Sequence, residues 1–150
     1  MAINDVTRVT VGDCSDIFCL DVGLYGTPRY GAIYILDTER PAVVDTGTGT
    51  NYELLTKALG TVGIAFDELE IIALTHVHLD HAGGAGRLAS DCPNAEVYVH
   101  EIGASHVIDP GQLVVGTKRV IGDLWEYHTE PEPIPEHRVQ TLGEGDTIDL

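Results

Sequence analysis

Lysine is almost missing from this chain: Lys57 and Lys118 are the only two, and the eight basic residues in all face 24 acidic ones, a formal net charge of −16 over 150 residues. A phosphate backbone would be repelled by such a surface, so no nucleic-acid partner is expected. The acidic residues are spread along the chain rather than gathered in a tail. That is the distribution of a protein adapted to high salt, where screening removes most of the self-repulsion, and a halophilic origin is expected.

Cysteine is scarce too. Cys14, Cys19 and Cys92 are odd in number and form no paired framework, so all three are expected to be reduced, buried and to act as small hydrophobes. No apolar run approaches the roughly 18 residues that span a bilayer, and no basic segment leads into an apolar one at the start. The expectation is a cytoplasmic protein with no membrane partner. A Gly-x-Ser-x-Gly elbow and a Gly-x-x-x-x-Gly-Lys loop are both missing, which argues against a serine hydrolase and a nucleotide-binding P-loop. Gly47-Thr48-Gly49 reads as a turn.

What is present suits one domain over residues 1–150, since 43% hydrophobic and 21% charged content can build a sizeable core. Strands are expected over 6–11, 17–22, 30–36 and 42–44, punctuated by Gly, Asp and Pro. Leu54, Leu55, Ala58 and Leu59 follow helical spacing within 50–59, and Ile71 to Leu74 is a short buried strand. A helix over 80–89, a strand over 97–99 and helices over 101–108 and 113–127 follow. After the extended Pro131-Glu132-Pro133-Ile134-Pro135 loop, residues 138–142 are expected to pair with 147–150 as a hairpin. The fold class is α/β. Because the chain stops on a strand residue, the natural protein is expected to continue past Leu150.

The chemistry concentrates in "ALTHVHLDHAGGAG", residues 73–86, which holds His76, His78, Asp80 and His81 in six positions directly after an apolar strand. On an extended chain 76, 78 and 80 share one side while Val77 and Leu79 face the core, and His81 turns in from the next helix. Imidazole and carboxylate are ligands that zinc and similar ions take, and four such groups can serve two adjacent ions. Each residue alone has an ordinary reading, Asp80 as a helix N-cap and a lone His as a hydrogen-bonded polar group. Together, followed by Gly83-Gly84 and set at the C-terminal end of a buried strand, they favour a metal site.

These residues resemble the His-x-His-x-Asp-His signature of the metallo-β-lactamase fold, in the form seen in hydroxyacylglutathione hydrolases (glyoxalase II), and "AVVDTGTGT" at 42–50 resembles that family's preceding strand and loop. The match covers about residues 16 to 100. It implies the N-terminal portion of an αββα sandwich, with His76 and His78 on a first metal, Asp80 and His81 on a second, and Asp45 as an outer residue orienting a ligating His. It also implies two zinc ions, with iron or manganese as alternatives, and hydrolysis of a small thioester or ester by activated water, with Asp80 handling the proton. A lactonase, an amidase, a phosphodiesterase, an iron-dependent sulfur dioxygenase and an inactive metal-binding fragment are the other outcomes the resemblance leaves open. Diiron oxygen reductases of this fold usually carry Glu where this chain has His78, which favours a hydrolase. The family's later His, Asp and His ligands have no counterpart here, and His128 and His137 are expected to be surface or lid residues. The sequence is silent on oligomeric state.

Overall fold

The computed structural model describes residues 5–150. Strands β1 (Val6–Val11), β2 (Cys14–Asp21), β3 (Ala32–Leu36), β4 (Ala42–Val44), β5 (Ile71–Ala73), β6 (Glu96–His100) and β7 (Val139–Leu142) form one sheet in sequence order. β1 to β4 are antiparallel neighbours, and β4 to β7 are parallel. The change of sense follows connection length, because short links allow hairpins whereas parallel neighbours need a long crossover. Those crossovers carry the helices: α1 (Tyr52–Val62) precedes β5, α2 (Leu79–Ala82) and α3 (Ala85–Asp91) precede β6, and α4 (Glu101–Ile108) and α5 (Gly111–Ile121) precede β7.

One register row crosses six strands through Phe18, Ile35, Val43, Ile72, Val97 and Val139. Its four central members are fully buried and share a core with Leu55 and Leu59 of α1 and Leu88 of α3. Branched side chains on the short central strands make this row a continuous apolar ridge for the helices. The adjacent row, Tyr34, Val44, Ala73, Tyr98 and Gln140, points to the other face and is only partly covered. The α/β class is therefore as expected.

Several local expectations are overturned. Residues 147–150 form no strand and no hairpin; β7 pairs in parallel with β6 instead. Just before β7, the Arg138 guanidinium donates to the carbonyl oxygens of Ala89, Cys92 and Ala95, which anchors β7 beside β6. The expected 80–89 helix is two helices broken at Gly83-Gly84, and α5 stops at Gly122 (φ 56°), from which the 3₁₀ turn Gly122–Tyr127 leads off. Helix α1 starts later than expected, after a 3₁₀ turn at Gly49–Asn51. Cys19 and Cys92 are buried, but Cys14 is exposed at the β1–β2 turn, where no core reaches it.

Candidate functional site

Val44 and Ala73 are register partners at the C-terminal ends of β4 and β5, so the two segments that follow leave the sheet side by side. Asp45 comes first, in the left-handed region at φ 62°, which Asp tolerates better than most residues. The residue is buried, 6% exposed. Oδ1 accepts from the Thr75 backbone N–H at 2.8 Å, both oxygens lie within 2.9 Å of Thr75 Oγ1, and Oδ2 lies 2.8 Å from His81 Nδ1.

Proton placement follows from these contacts. An ionised carboxylate only accepts, so His81 Nδ1 carries the proton and Nε2 keeps its lone pair. Nε2 lies 3.6 Å from Asp80 Oδ2. Thr75 Oγ1 spends its one hydrogen on Asp45, so in its 3.1 Å contact with His76 Nδ1 it accepts, and His76 also keeps a free Nε2. The His76 ring centre is 4.7 Å from that of His78 and 4.1 Å from that of His81. Burial, reinforced by the neighbouring imidazoles of His81 and His78, lowers the pKa of His76 and favours the neutral ring that ligates metals.

The three histidines and Asp80 lie near one another beyond β5, on a backbone that the sequence does not anticipate. The strand stops at Ala73, His78 occupies the N-cap position of α2, and Asp80 sits in that helix's first turn with no capping bond. Among the described residues, no group of three or more His, Cys, Asp and Glu side chains is posed in metal-holding geometry. The donor chemistry nevertheless fits a first-row metal, with two imidazoles locked to offer Nε2 and a carboxylate beside one of them.

Close packing of the two segments supports this arrangement. Gly47 and Ala82 form a parallel bridge, and Thr46 donates to the His81 carbonyl through both its backbone N–H (2.7 Å) and Oγ1 (2.9 Å). A Cβ at Gly83 would meet the Leu79 carbonyl oxygen and come within 3.1 Å of Thr48 Cα, so only glycine lets the chains approach this closely.

His128 departs from expectation. It is 7% exposed rather than a surface residue, because the Gly122–Tyr127 turn folds Trp125 back to stack on its ring with centres 5.7 Å apart. His128 Nε2 lies 3.3 Å from the Tyr25 hydroxyl, while Nδ1 is buried with no partner. Burial lowers the pKa of His128 and raises that of Tyr25, with Asp80 adding to the latter shift. Together with His78 and Asp80, the pair lines a cavity of about 500 Å³ that α5 also lines. Tyr25 lies in an aperiodic turn and carries no recognisable sequence signal. Trp125-x-x-His128 after a glycine is the only hint for its partner. His137 is exposed, as expected.

Known structures share this architecture. The chain superposes on the FEZ-1 metallo-beta-lactamase of Legionella gormanii with a TM-score of 0.65 and 17% identity, covering 90% of this chain and 46% of that one. MEM-A1, a subclass B3 metallo-beta-lactamase from a soil metagenome library, gives 0.68 at 16% identity with the same coverage. The metallo-beta-lactamase of Cronobacter sakazakii (Enterobacter sakazakii) gives 0.64 at 20%, again covering 90% and 46%. This chain therefore spans about half the length of these proteins, and at such identities the likeness speaks for the fold alone. No curated protein matches the chain. The family model described as the metallo-beta-lactamase superfamily matches residues 26–150, and the chain belongs to that superfamily.

Proposed function

We propose that the protein is a metal-dependent hydrolase of small thioesters or esters, in which His76 and His78 hold one zinc ion and Asp80 and His81 a second. The observation that carries this reading is the Asp45 carboxylate, which accepts from His81 Nδ1–H directly and, through Thr75 Oγ1, fixes the proton of His76 on Nδ1, leaving both Nε2 atoms free. Such outer contacts orient imidazole ligands and make them more basic.

When bound, zinc supplies a Lewis acid for a carbonyl and brings a water to a pKa of about 7. The chain's own groups do the rest. Asp45 and Thr75 hold the rings of His81 and His76, and Asp80 Oδ2, beside His81 Nε2, is the base that takes the proton of the attacking water. Buried Leu79 and partly buried Val77 anchor the ligand-bearing segment to the core.

The net charge of −16 supports adaptation to high salt and weighs against a nucleic-acid partner. A cytoplasmic location belongs to the same reading. Among the described residues no helix is long and apolar enough to cross a membrane.

The test is metal content after gel filtration together with hydrolysis of a glutathione thioester and of a β-lactam. With two protein ligands for each ion, weak zinc uptake that falls further with His76→Ala and His81→Ala is expected, with any turnover favouring the thioester over the lactam. Iron uptake with oxygen consumption, or no metal uptake, would overturn the proposal.

A further inference from the structure

The cavity beside His78 and Asp80 is lined by a mostly apolar run of α5 and by a cluster of polar side chains, with Gln112 and His106 also on its wall. Leu113, Gly116, Thr117, Val120 and Ile121 of α5 line it at i, i+3, i+4, i+7 and i+8, the spacing of one helix face. That face is not spent on the core: Val114 is the only buried residue of α5, and Val120 is 84% exposed. The polar cluster is His78, Asp80, Tyr25 and His128.

The Tyr25–His128 pair has hydrogen-bonding capacity left over. A neutral imidazole and a phenol bring two polar hydrogens, and their mutual 3.3 Å contact uses one. If the phenol donates, His128 Nδ1–H is spare; if Nε2 donates, the phenol O–H is spare. In either case the pair keeps a donor. His128 Nδ1 is buried without a partner, and where the phenol is the donor this is an N–H whose unmet bond a ligand oxygen would complete.

We propose that this cavity is an acyl pocket: the substrate is a neutral carbonyl compound, an ester or thioester, whose aliphatic acyl chain lies along α5 while a polar oxygen accepts from the Tyr25–His128 pair. The volume of about 500 Å³ is that of a small-molecule site. An apolar wall beside proposed metal ligands suits a chain attached to the scissile carbonyl, and a neutral ligand avoids repulsion by Asp80 and by the surface charge. The inference rests on the hydrolase reading for the carbonyl's fate, but not for binding.

The test uses a series of methyl ketones from 2-butanone to 2-decanone, neutral carbonyl compounds that cannot be hydrolysed. Each is titrated into the chain with chelator present. Trp125, the single tryptophan, stacks on His128 and reports binding by fluorescence. Affinity is expected to rise roughly fourfold per methylene, the equivalent of about 0.8 kcal/mol per buried CH₂, until the cavity is full. Gly116→Leu projects into space where an added Cβ meets nothing within 4 Å, and it should cut the affinity of the long ketones more than about tenfold and that of 2-butanone less. Tyr25→Phe should weaken every member by a similar factor. A flat series, or a chain-length dependence indifferent to Gly116→Leu, overturns the acyl pocket even if zinc uptake succeeds. Retained chain-length dependence without zinc uptake overturns the hydrolase and leaves the pocket standing.

Discussion

Asp45 Oδ2 and His81 Nδ1 lie 2.8 Å apart across two segments that leave adjacent strands, and this contact sets which nitrogen of His81 is free. An amide in place of the carboxylate can turn its NH₂ towards His81 and remove that control. Asp45→Asn should therefore weaken zinc binding about 10–100-fold at unchanged fold. Competition against a chromogenic chelator, with circular dichroism as the control, measures it. Unchanged affinity would show that Asp45 serves only the turn.

Charge makes a separate prediction. With 24 acidic groups against eight basic ones, folding brings like charges together, and added salt screens them. The melting temperature should climb as KCl rises from low salt into the molar range. A flat or falling trend would return the acidity to an ordinary surface.

Acid should destabilise the chain through His128 and His76. Both have folded pKa values lowered first by burial, so the unfolded state binds protons before the folded state does. Stability is complete above the unfolded value of about 6.5 and is lost as pH falls from there through the folded values. His128→Phe should remove part of the slope of stability against pH in that window, read from urea unfolding at pH 8, 6 and 5. An unaltered slope would show that His128 is not the titrating group.

Arg138 ties down the C-terminal end of α3 and the turn that follows it. Its Nη2 donates to Cys92 at 2.8 Å and Ala89 at 3.0 Å, and its Nε to Ala95 at 2.9 Å, all carbonyls at or beyond the last turn of α3. A cation is also favoured there by the helix dipole. Arg138→Leu should cost about 2 kcal/mol or more in urea unfolding, and Arg138→Lys should restore only part because one ammonium cannot reproduce the planar fork. Full rescue by Lys would mean that charge alone matters.

The metal-ligand candidates were legible in the sequence because they are local. His76, His78, Asp80 and His81 fall within six residues, follow the apolar run that becomes β5 and precede Gly83, whose lack of a side chain the packing requires. The α/β class was legible for a similar reason, since each short strand and helix writes its own period. Contacts between distant residues were not. Nothing local at Arg138 says that it will meet α3, and without that anchor a hairpin with residues 147–150 is the natural reading of β7. Nor does a histidine beside a proline-rich loop disclose that Trp125 will fold over it and Tyr25, 103 residues away, will meet its ring. The donor groups themselves follow from spacing along the chain, whereas the cavity beside them exists because α5 and the Gly122–Tyr127 turn pack back over the end of the sheet, a tertiary choice made by burial and hydrogen bonding at long range.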